Sequence, residues 1–415
     1  MSAQSSCHKT WLSTLKDHLQ REQYSPRTAE RCLVVARHFL AYIQKQNVDV
    51  REARQSHVHQ FVQQERRKYF RKHGHPPDYK GWRAVYTSSV YMLLRLAQGQ
   101  WPPVWANNSI EQRQQEFCRS YVQWMMGVRG LAPITTADRC AEAHRFLTWL
   151  HRRHGRNGIA ALTLGVVEDY LKHRAGSLRR RSLNGVATMV RSFLRWLCWT
   201  GQTSSDFCSA VIIPSLYKFE SVPSALQAEH VKKVLDVTRR DRTPKGIRDY
   251  AILLLLSTYG LRAGEIATLR VDDIDWRKEV IRIRHSKTAT TSYIPLLPKP
   301  GEALLKYLQK SRPVTSLREV FLRCRAPYRS FKKGSSLYGL VRHRLETAGV
   351  ISSGKRGPHA FRHARAVSML RAAVSVKHIG DLLGHRAADS TLIYLKLATE
   401  DLRAVALEIP TGVIA

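Results

Sequence analysis

The sequence predicts a mainly α-helical chain with a small β-sheet, built as one or two N-terminal helical bundles followed by a mixed α+β segment. Three observations carry that prediction. Apolar residues recur at helical spacing along most of the first half. One block of that half recurs within it. Only the second half holds a strict alternation of the kind a half-buried strand needs, "VIRIR" at 280–284.

The internal repeat sets the organisation of the first half. "SPRTAERCLVVARHFLAYI" (25–43) matches "APITTADRCAEAHRFLTWL" (132–150) once a single residue is deleted. Thr-Ala-acid-Arg-Cys recurs at 28–32 and 136–140, and Phe-Leu-x-aromatic-aliphatic at 39–43 and 146–150. Further helical pattern follows each copy, so each reads as a bundle of about four helices. Pro26 and Pro133 fall near helix starts, where a missing N–H costs nothing. Proline-rich and polar breaks at "GQWPPVWANNS" (99–109) and "IPSLYKFESVPSAL" (213–226) predict segments 1–105, 110–215 and 226–408.

In the third segment, "GIRDYAILLLLSTYG" reads as a buried helix with Gly260 as its left-handed stop. "RAGEIATL" restarts a helix and "DDIDWRKE" turns out of it. "VIRIR" sets Ile281 and Ile283 against Arg282 and Arg284, and "YIPL" is the returning strand, with "HSKTATTS" as the turn between them. Beyond it the pattern is helical to near residue 408.

Charge narrows the function classes. The 415 residues carry 68 Lys and Arg against 32 Asp and Glu, a formal net charge of +36 and a pI near 10.4. Such a field attracts polyanions, nucleic acid above all. With 43% hydrophobic residues the chain buries real cores and is not a disordered basic tail. "MSAQSSCHKTWLSTLKDHL" lacks the apolar core of a secretory signal, and "AILLLL" (251–256) is too short to span a bilayer. No lipid anchor stands out, so a cytosolic protein is expected, nucleoid-associated in a bacterium. Cysteines at 7, 32, 118, 140, 198, 208 and 324 form no C-x-x-C pair, and read as reduced thiols without a disulfide framework or zinc site.

Two basic clusters are candidate phosphate contacts. "ERRKYFRKH" (65–73) interleaves Arg66, Arg67, Lys68, Arg71 and Lys72 with Tyr69 and Phe70, and "LRRRS" (178–182) contributes Arg179, Arg180 and Arg181. A third cluster is "HAFRHARA" (359–366), in which helical geometry stacks His359, Arg362 and His363 on one face. Two imidazoles and a guanidinium crowded there predict an exposed basic face awaiting an anion. Arg262 follows Gly260-Leu261 at a helix start, where a cation opposes the helix dipole. A bound anion would offset that cost, with the first-turn amides joining in; so would pairing with Glu265 on the same face.

"YGLRAGEIATLRVDDIDW", "HSKTATTSYIPL", "HAFRHARA" and "LLGHRAADSTLIY" occur in this order, with twenty-three residues from Arg362 to His385 and nine from His385 to Tyr394. Together they resemble the tyrosine recombinase (phage integrase-like) family over residues 226–405 or so. That family carries an arginine in G-L-R-x-x-E, a lysine in a β-turn, H-x-x-R on a helix, L-G-H, and a tyrosine nine residues on. The matching positions here are Arg262, Lys287, His359 with Arg362, His385 and Tyr394. Lys287 departs from the commoner Gly-Lys-Gly context, lying between Ser286 and Thr288.

The resemblance implies an enzyme that cuts and rejoins double-stranded DNA through a 3′-phosphotyrosine, as an integrase or the transposase of a mobile element. Arg262 and Arg362 would hold the non-bridging oxygens, Tyr394 would attack phosphorus, and Lys287 would protonate the leaving 5′-oxygen. His359 would exchange a proton with the tyrosine or bond a phosphate oxygen, and His385 would orient the phosphate or the tyrosine. Glu265 and His363 would support them. The sequence holds no carboxylate cluster for two metals and no phosphate-cradling G-x-x-x-x-G-K-[ST] loop, and the family needs neither metal nor nucleotide cofactor.

The second bundle resembles the family's core-binding, SAM-like domain, and the first looks like a duplicate of it, for DNA or subunit contact. The implied assembly is a homotetramer on two duplexes, alone or with sister recombinases, with "EDLRAVALEI" (400–409) docking on a neighbouring subunit. Two other readings are a type IB topoisomerase-like enzyme that relaxes one duplex, and a DNA-binding descendant that no longer cuts.

Overall fold

The computed structural model describes residues 2–102, 109–155, 158–203, 206–215, 225–285, 290–331, 335–351, 354 and 356–384. Chain contacts divide it into two compact units, Met1–Gln100 with Val222–Ala415, and Trp101–Ser221.

The first hundred residues form a bundle of α1 (Ser2–Arg21), α2 (Pro26–Gln44), α3 (Gln55–His73) and α4 (Tyr79–Gln98). Pro26 opens α2 behind Ser25, whose hydroxyl accepts from the Thr28 amide, so the start of the repeat is a capped helix N-terminus. Phe39, Leu40 and Ile43 from α2, Phe61 from α3 and Leu93 and Leu94 from α4 are buried.

The second unit holds α5 (Ser109–Gly127), α6 (Pro133–His154), α7 (Leu164–Ala175), α8 (Arg180–Trp199) and the short α9 (Phe207–Ala210). Its pairings repeat those of the first bundle: first helix on second, second on fourth, third on fourth, first on fourth. The repeated motif sits on the second helix of each, with Phe39 and Phe146 both buried, and Val90, Leu93 and Leu94 of α4 correspond to buried Val190, Phe193 and Leu194 of α8. The two four-helix sets thus share an order of pairings. Buried Glu142 accepts from Tyr170, Arg145 and Arg174, which satisfies a carboxylate that would otherwise be costly there.

The third segment begins with α10 (Ala228–Arg240), α11 (Pro244–Tyr259) and α12 (Ala263–Thr268). Every residue from Ala251 to Leu256 is buried, so α11 is apolar on all sides and forms the middle of this core. A short 3-10 turn at Val271–Asp273 leads to β1 (Ile274–Asp275), β2 (Val280–His285) and β3 (Thr290–Pro295), an antiparallel sheet in that order. Ile281 and Ile283 face the core. Arg282 and Arg284 bond the buried carboxylate of Asp273.

The strands are longer than the sequence predicts. His285 pairs with Thr290 and belongs to the ladder, so both ends of the polar stretch read as a turn, 285 and 290–292, are strand. Its polarity misled because polar groups within it are paired inside the protein.

Four helices follow among the described residues: α13 (Pro298–Lys310), α14 (Ser335–Thr347), α15 (Pro358–Arg371) and α16 (Val376–Leu383). The expected continuous helical pattern is interrupted at 311–331, which is irregular and held by two isolated bridges, Arg270 to Glu319 and Leu322 to Ser330. Arg312 fixes this stretch by donating to the carbonyls of Leu317, Glu319 and Val320. Beneath it Asp249, fully buried, accepts from Arg248 and Arg344, and Arg344 also donates to Asp241. Among the described residues no helix is long and apolar enough to cross a membrane.

Candidate active site

Two helix ends and one strand end meet around the turn that closes α16. Gly260 ends α11 at φ 65° and Gly384 ends α16 at φ 63°, both in the left-handed region that favours glycine. A Cβ on Gly384 would lie 2.9 Å from the His285 ring, so this position has neither the conformation nor the space for another residue.

Arg262 is the N-cap of α12, and Glu265 closes its first turn by accepting the Arg262 backbone N–H at 2.7 Å. The Arg262 side chain donates from Nη1 to Glu265 Oε1 at 2.8 Å and from Nη2 to the Gly384 carbonyl at 2.7 Å. It remains 19% exposed. Burial pushes the Glu265 carboxyl up, but hydrogen bonds from His285 and Arg262 outweigh it and hold its pKa below the ordinary glutamate value. The ionised carboxylate therefore offsets the cost of a cation at a helix start, and half of the alternative posed by the sequence, pairing with Glu265, is realised.

Arg362, on α15, donates from Nη1 to the Gly260 carbonyl at 2.9 Å and from Nη2 to the Leu383 carbonyl at 2.5 Å. The two arginines thus hold consecutive carbonyls, 383 and 384, at the C-terminal end of α16, where the helix dipole is negative. A planar fork suits this task in a way that an ammonium does not.

The exposed basic face expected for "HAFRHARA" is not formed. Arg362 is 3% exposed and His363 8%, and Arg362 is drawn inward by the carbonyls of Gly260 and Leu383 that it bonds. Only His359 is exposed, its ring 6.3 Å from that of His363. It lines an open cleft with Tyr338, Arg342 and Arg356. Arg365 turns the other way, onto a cavity of about 850 Å³ between α10, α11, α13 and α15 whose walls include Val231, Leu235, Leu254 and Phe361. That cavity holds none of the other candidate residues. Arg66, Arg67, Lys68, Arg71 and Lys72 are exposed on α3, with Lys68 paired to Glu65. Arg179, Arg180 and Arg181 are exposed at the start of α8. Lys287, His385, Tyr394 and the segment 400–409 lie outside the described residues.

Sequence reasoning missed His285 and Ser292. His285 is 3% exposed, its Nδ1 2.7 Å from Glu265 Oε1 and its Nε2 2.8 Å from Ser292 Oγ. The signal was present, since the inward series Ile281, Ile283 continues at 285.

Helical bundles ahead of a small sheet, with paired arginines locked onto the Leu383 and Gly384 carbonyls at the end of α16, define a tyrosine recombinase. The chain belongs to the phage integrase family, whose pattern matches residues 224–401. A Sinorhizobium fredii (strain NBRC 101917 / NGR234) protein named as an integrase/recombinase, y4gC, is 58% identical over 189 residues, covering 46% of this chain and 97% of its own. A second from that strain, y4rA, is 36% identical over 298 residues, 71% of each chain. Among solved structures, the XerH site-specific recombinase bound to palindromic difH substrate in a post-cleavage complex superposes with a TM-score of 0.54 at 14% identity. That match covers 71% of this chain and 88% of XerH, and speaks for the fold.

Proposed function

We propose that this recombinase cleaves and rejoins double-stranded DNA at specific sites through a 3′-phosphotyrosine, serving a mobile element as integrase or transposase. The convergence of Arg262 and Arg362 on the carbonyls of 383 and 384, immediately before His385, supports this most directly. Among the described residues, two of the five N–H groups of the Arg262 side chain are committed, to Glu265 and to the Gly384 carbonyl, which leaves three for a phosphate. Charge growing on the non-bridging oxygens in the pentacoordinate transition state is what such donors stabilise.

In this reading the Tyr394 oxygen attacks phosphorus as the bond to the 5′-oxygen breaks. Lys287 gives that oxygen its proton, and His359 exchanges one with the tyrosine or bonds a phosphate oxygen. The phosphotyrosine keeps the bond energy, so a second 5′-hydroxyl reverses the step with neither metal nor nucleotide consumed. His385 orients the phosphate or the tyrosine, and Glu265 and His363 support the arginines.

The segments 110–215 and 226–408 would grip the duplex from the core-binding and catalytic sides. The first bundle, 1–105, would add DNA or subunit contacts through the Arg66–Lys72 cluster, and Arg179, Arg180 and Arg181 would meet phosphates. A tetramer on two duplexes, with or without sister recombinases, is the corresponding assembly. Truncation after about residue 398 should abolish assembly and spare DNA binding. Full recombination by the truncated chain would refute the docking role of 400–409.

The deciding experiment uses supercoiled DNA carrying the sequences that flank the gene, without added metal. A DNA-linked protein band on a denaturing gel from wild type, absent from Tyr394→Phe, is the expected result. Tight binding by both proteins with no band, on DNA shown to carry the site, would refute cleavage in favour of a DNA-binding descendant. Relaxation without any recombinant product would favour the topoisomerase-like activity.

A further inference from the structure

The alternation that buries Ile281 and Ile283 on β2 runs on to residue 285, where the slot holds an imidazole in place of a third aliphatic side chain. An aliphatic residue would fill that slot without the cost of desolvating two ring nitrogens, so the ring is of use for what it bonds. Nδ1 faces the ionised carboxylate of Glu265, which can only accept, so Nδ1 carries a hydrogen and donates it. Nε2 pairs with the Ser292 hydroxyl from the neighbouring strand, which fixes the rotation of the ring. The ring edge also rests on the backbone of residue 384, so close that a Cβ there would lie 2.9 Å from its Cε1.

The Arg262 guanidinium hangs on the same two groups. Nη1 donates to Glu265 Oε1, the oxygen that accepts from His285, and Nη2 donates to the Gly384 carbonyl. Nη1 lies 3.5 Å from His285 Nδ1, two donors side by side on one oxygen. Removing the ring would take one of the three hydrogen bonds that hold Glu265 and open space behind Gly384, so both anchors of Arg262 would loosen together.

We propose that His285 is a positioning residue for strand cleavage: it braces the Glu265 carboxylate and the Gly384 peptide, and through them sets the direction in which Arg262 presents its other N–H groups. Being 3% exposed, it does not itself touch DNA. The inference rests on the reading of Arg262 as a phosphate-holding group.

The test uses the full chain on a duplex whose cleaved phosphate has been mapped from the wild-type covalent product. It compares that duplex with one carrying a neutral methylphosphonate at the same position. His285→Ala should cut the phosphodiester about 100-fold more slowly than wild type, the scale of a misplaced transition-state donor, with duplex binding unchanged in a gel shift. On the methylphosphonate, where the charge that Arg262 opposes is missing, the deficit should shrink to within about threefold. Arg262→Ala should show the same pattern. His285→Asn, whose amide can replace the Nδ1 donor, should recover most of the phosphodiester rate. An equal deficit on both substrates, or His285→Ala within about threefold of wild type on the phosphodiester, would overturn the proposal. Absence of any covalent product from wild type would refute the proposed function instead. Amide exchange in DNA-free protein still decides on His285 in that case: faster exchange at 262–268 in His285→Ala supports the brace, and unchanged exchange overturns it.

Discussion

Replacing Glu265 by Gln changes one atom and tests the polar centre of the site. Oε1 accepts from the Arg262 guanidinium at 2.8 Å and from His285 at 2.7 Å, and Oε2 accepts the Arg262 backbone N–H at 2.7 Å. An amide supplies one acceptor and one donor group, so in either orientation its NH₂ faces an N–H. The milder orientation keeps the carbonyl at the Oε1 position and sacrifices the backbone bond. An unsatisfied buried donor costs about 1–3 kcal/mol, and each of the two surviving bonds weakens by about 1 kcal/mol when its acceptor loses its charge. The lower desolvation cost of an amide offsets part of this. A net local loss of about 2–3 kcal/mol remains, which corresponds to roughly 30- to 150-fold faster amide exchange.

The assay is hydrogen exchange with mass-spectrometric readout on peptides covering 262–268 and 280–285. Peptides of the 101–221 unit serve as an internal control. Acceleration of less than about threefold, or equal acceleration throughout the chain, would refute the reasoning. The effect also has a pH signature. The folded Glu265 pKa lies below its ordinary value, so its contribution is fully present above about pH 4.3 and is lost as pH falls through the folded pKa. The difference between wild type and Glu265→Gln should therefore be largest near neutrality and shrink on acidification. A gap that widens towards acid would contradict the assignment of an ionised carboxylate.

Two further substitutions probe the supports of the site. Gly384→Ala meets a left-handed backbone and the His285 ring at once, so it should cost about 2 kcal/mol or more and sharply reduce covalent DNA linkage; a wild-type yield of linked product would show that the turn has room to relax. Arg344→Met leaves Asp249 buried with Arg248 as its remaining partner and deprives Asp241, and should destabilise this segment by about 3 kcal/mol. A lowered urea midpoint for exchange protection of α11 is the measure, and an unchanged midpoint would show that Arg248 alone suffices.

Much of this molecule was legible because its signals are local. The capped start at Ser25-Pro26, the left-handed stop at Gly260 and the alternation of Ile281 with Ile283 each follow from the chain's own geometry. The two similar stretches bury Phe39, Leu40 and Ile43 in one bundle and Phe146, Leu147 and Leu150 in the other. The family was legible through the order and spacing of its motifs.

What the sequence could not decide was direction. Helical periodicity places His359, Arg362 and His363 on one side of α15, yet whether that side meets solvent or core depends on α11 and on the carbonyls of Gly260 and Leu383, far away in sequence. The irregular course of 311–331 depends likewise on Arg312 and on a bridge back to Arg270. His285 is the sharpest case. A histidine before Ser-Lys-Thr reads as a turn residue, and only the arrival of Glu265 from one side and Gly384 from the other makes it a buried ring. Periodicity assigns a polar residue to a face, but its burial depends on partners that satisfy its hydrogen bonds, and those partners are brought together only by the tertiary fold.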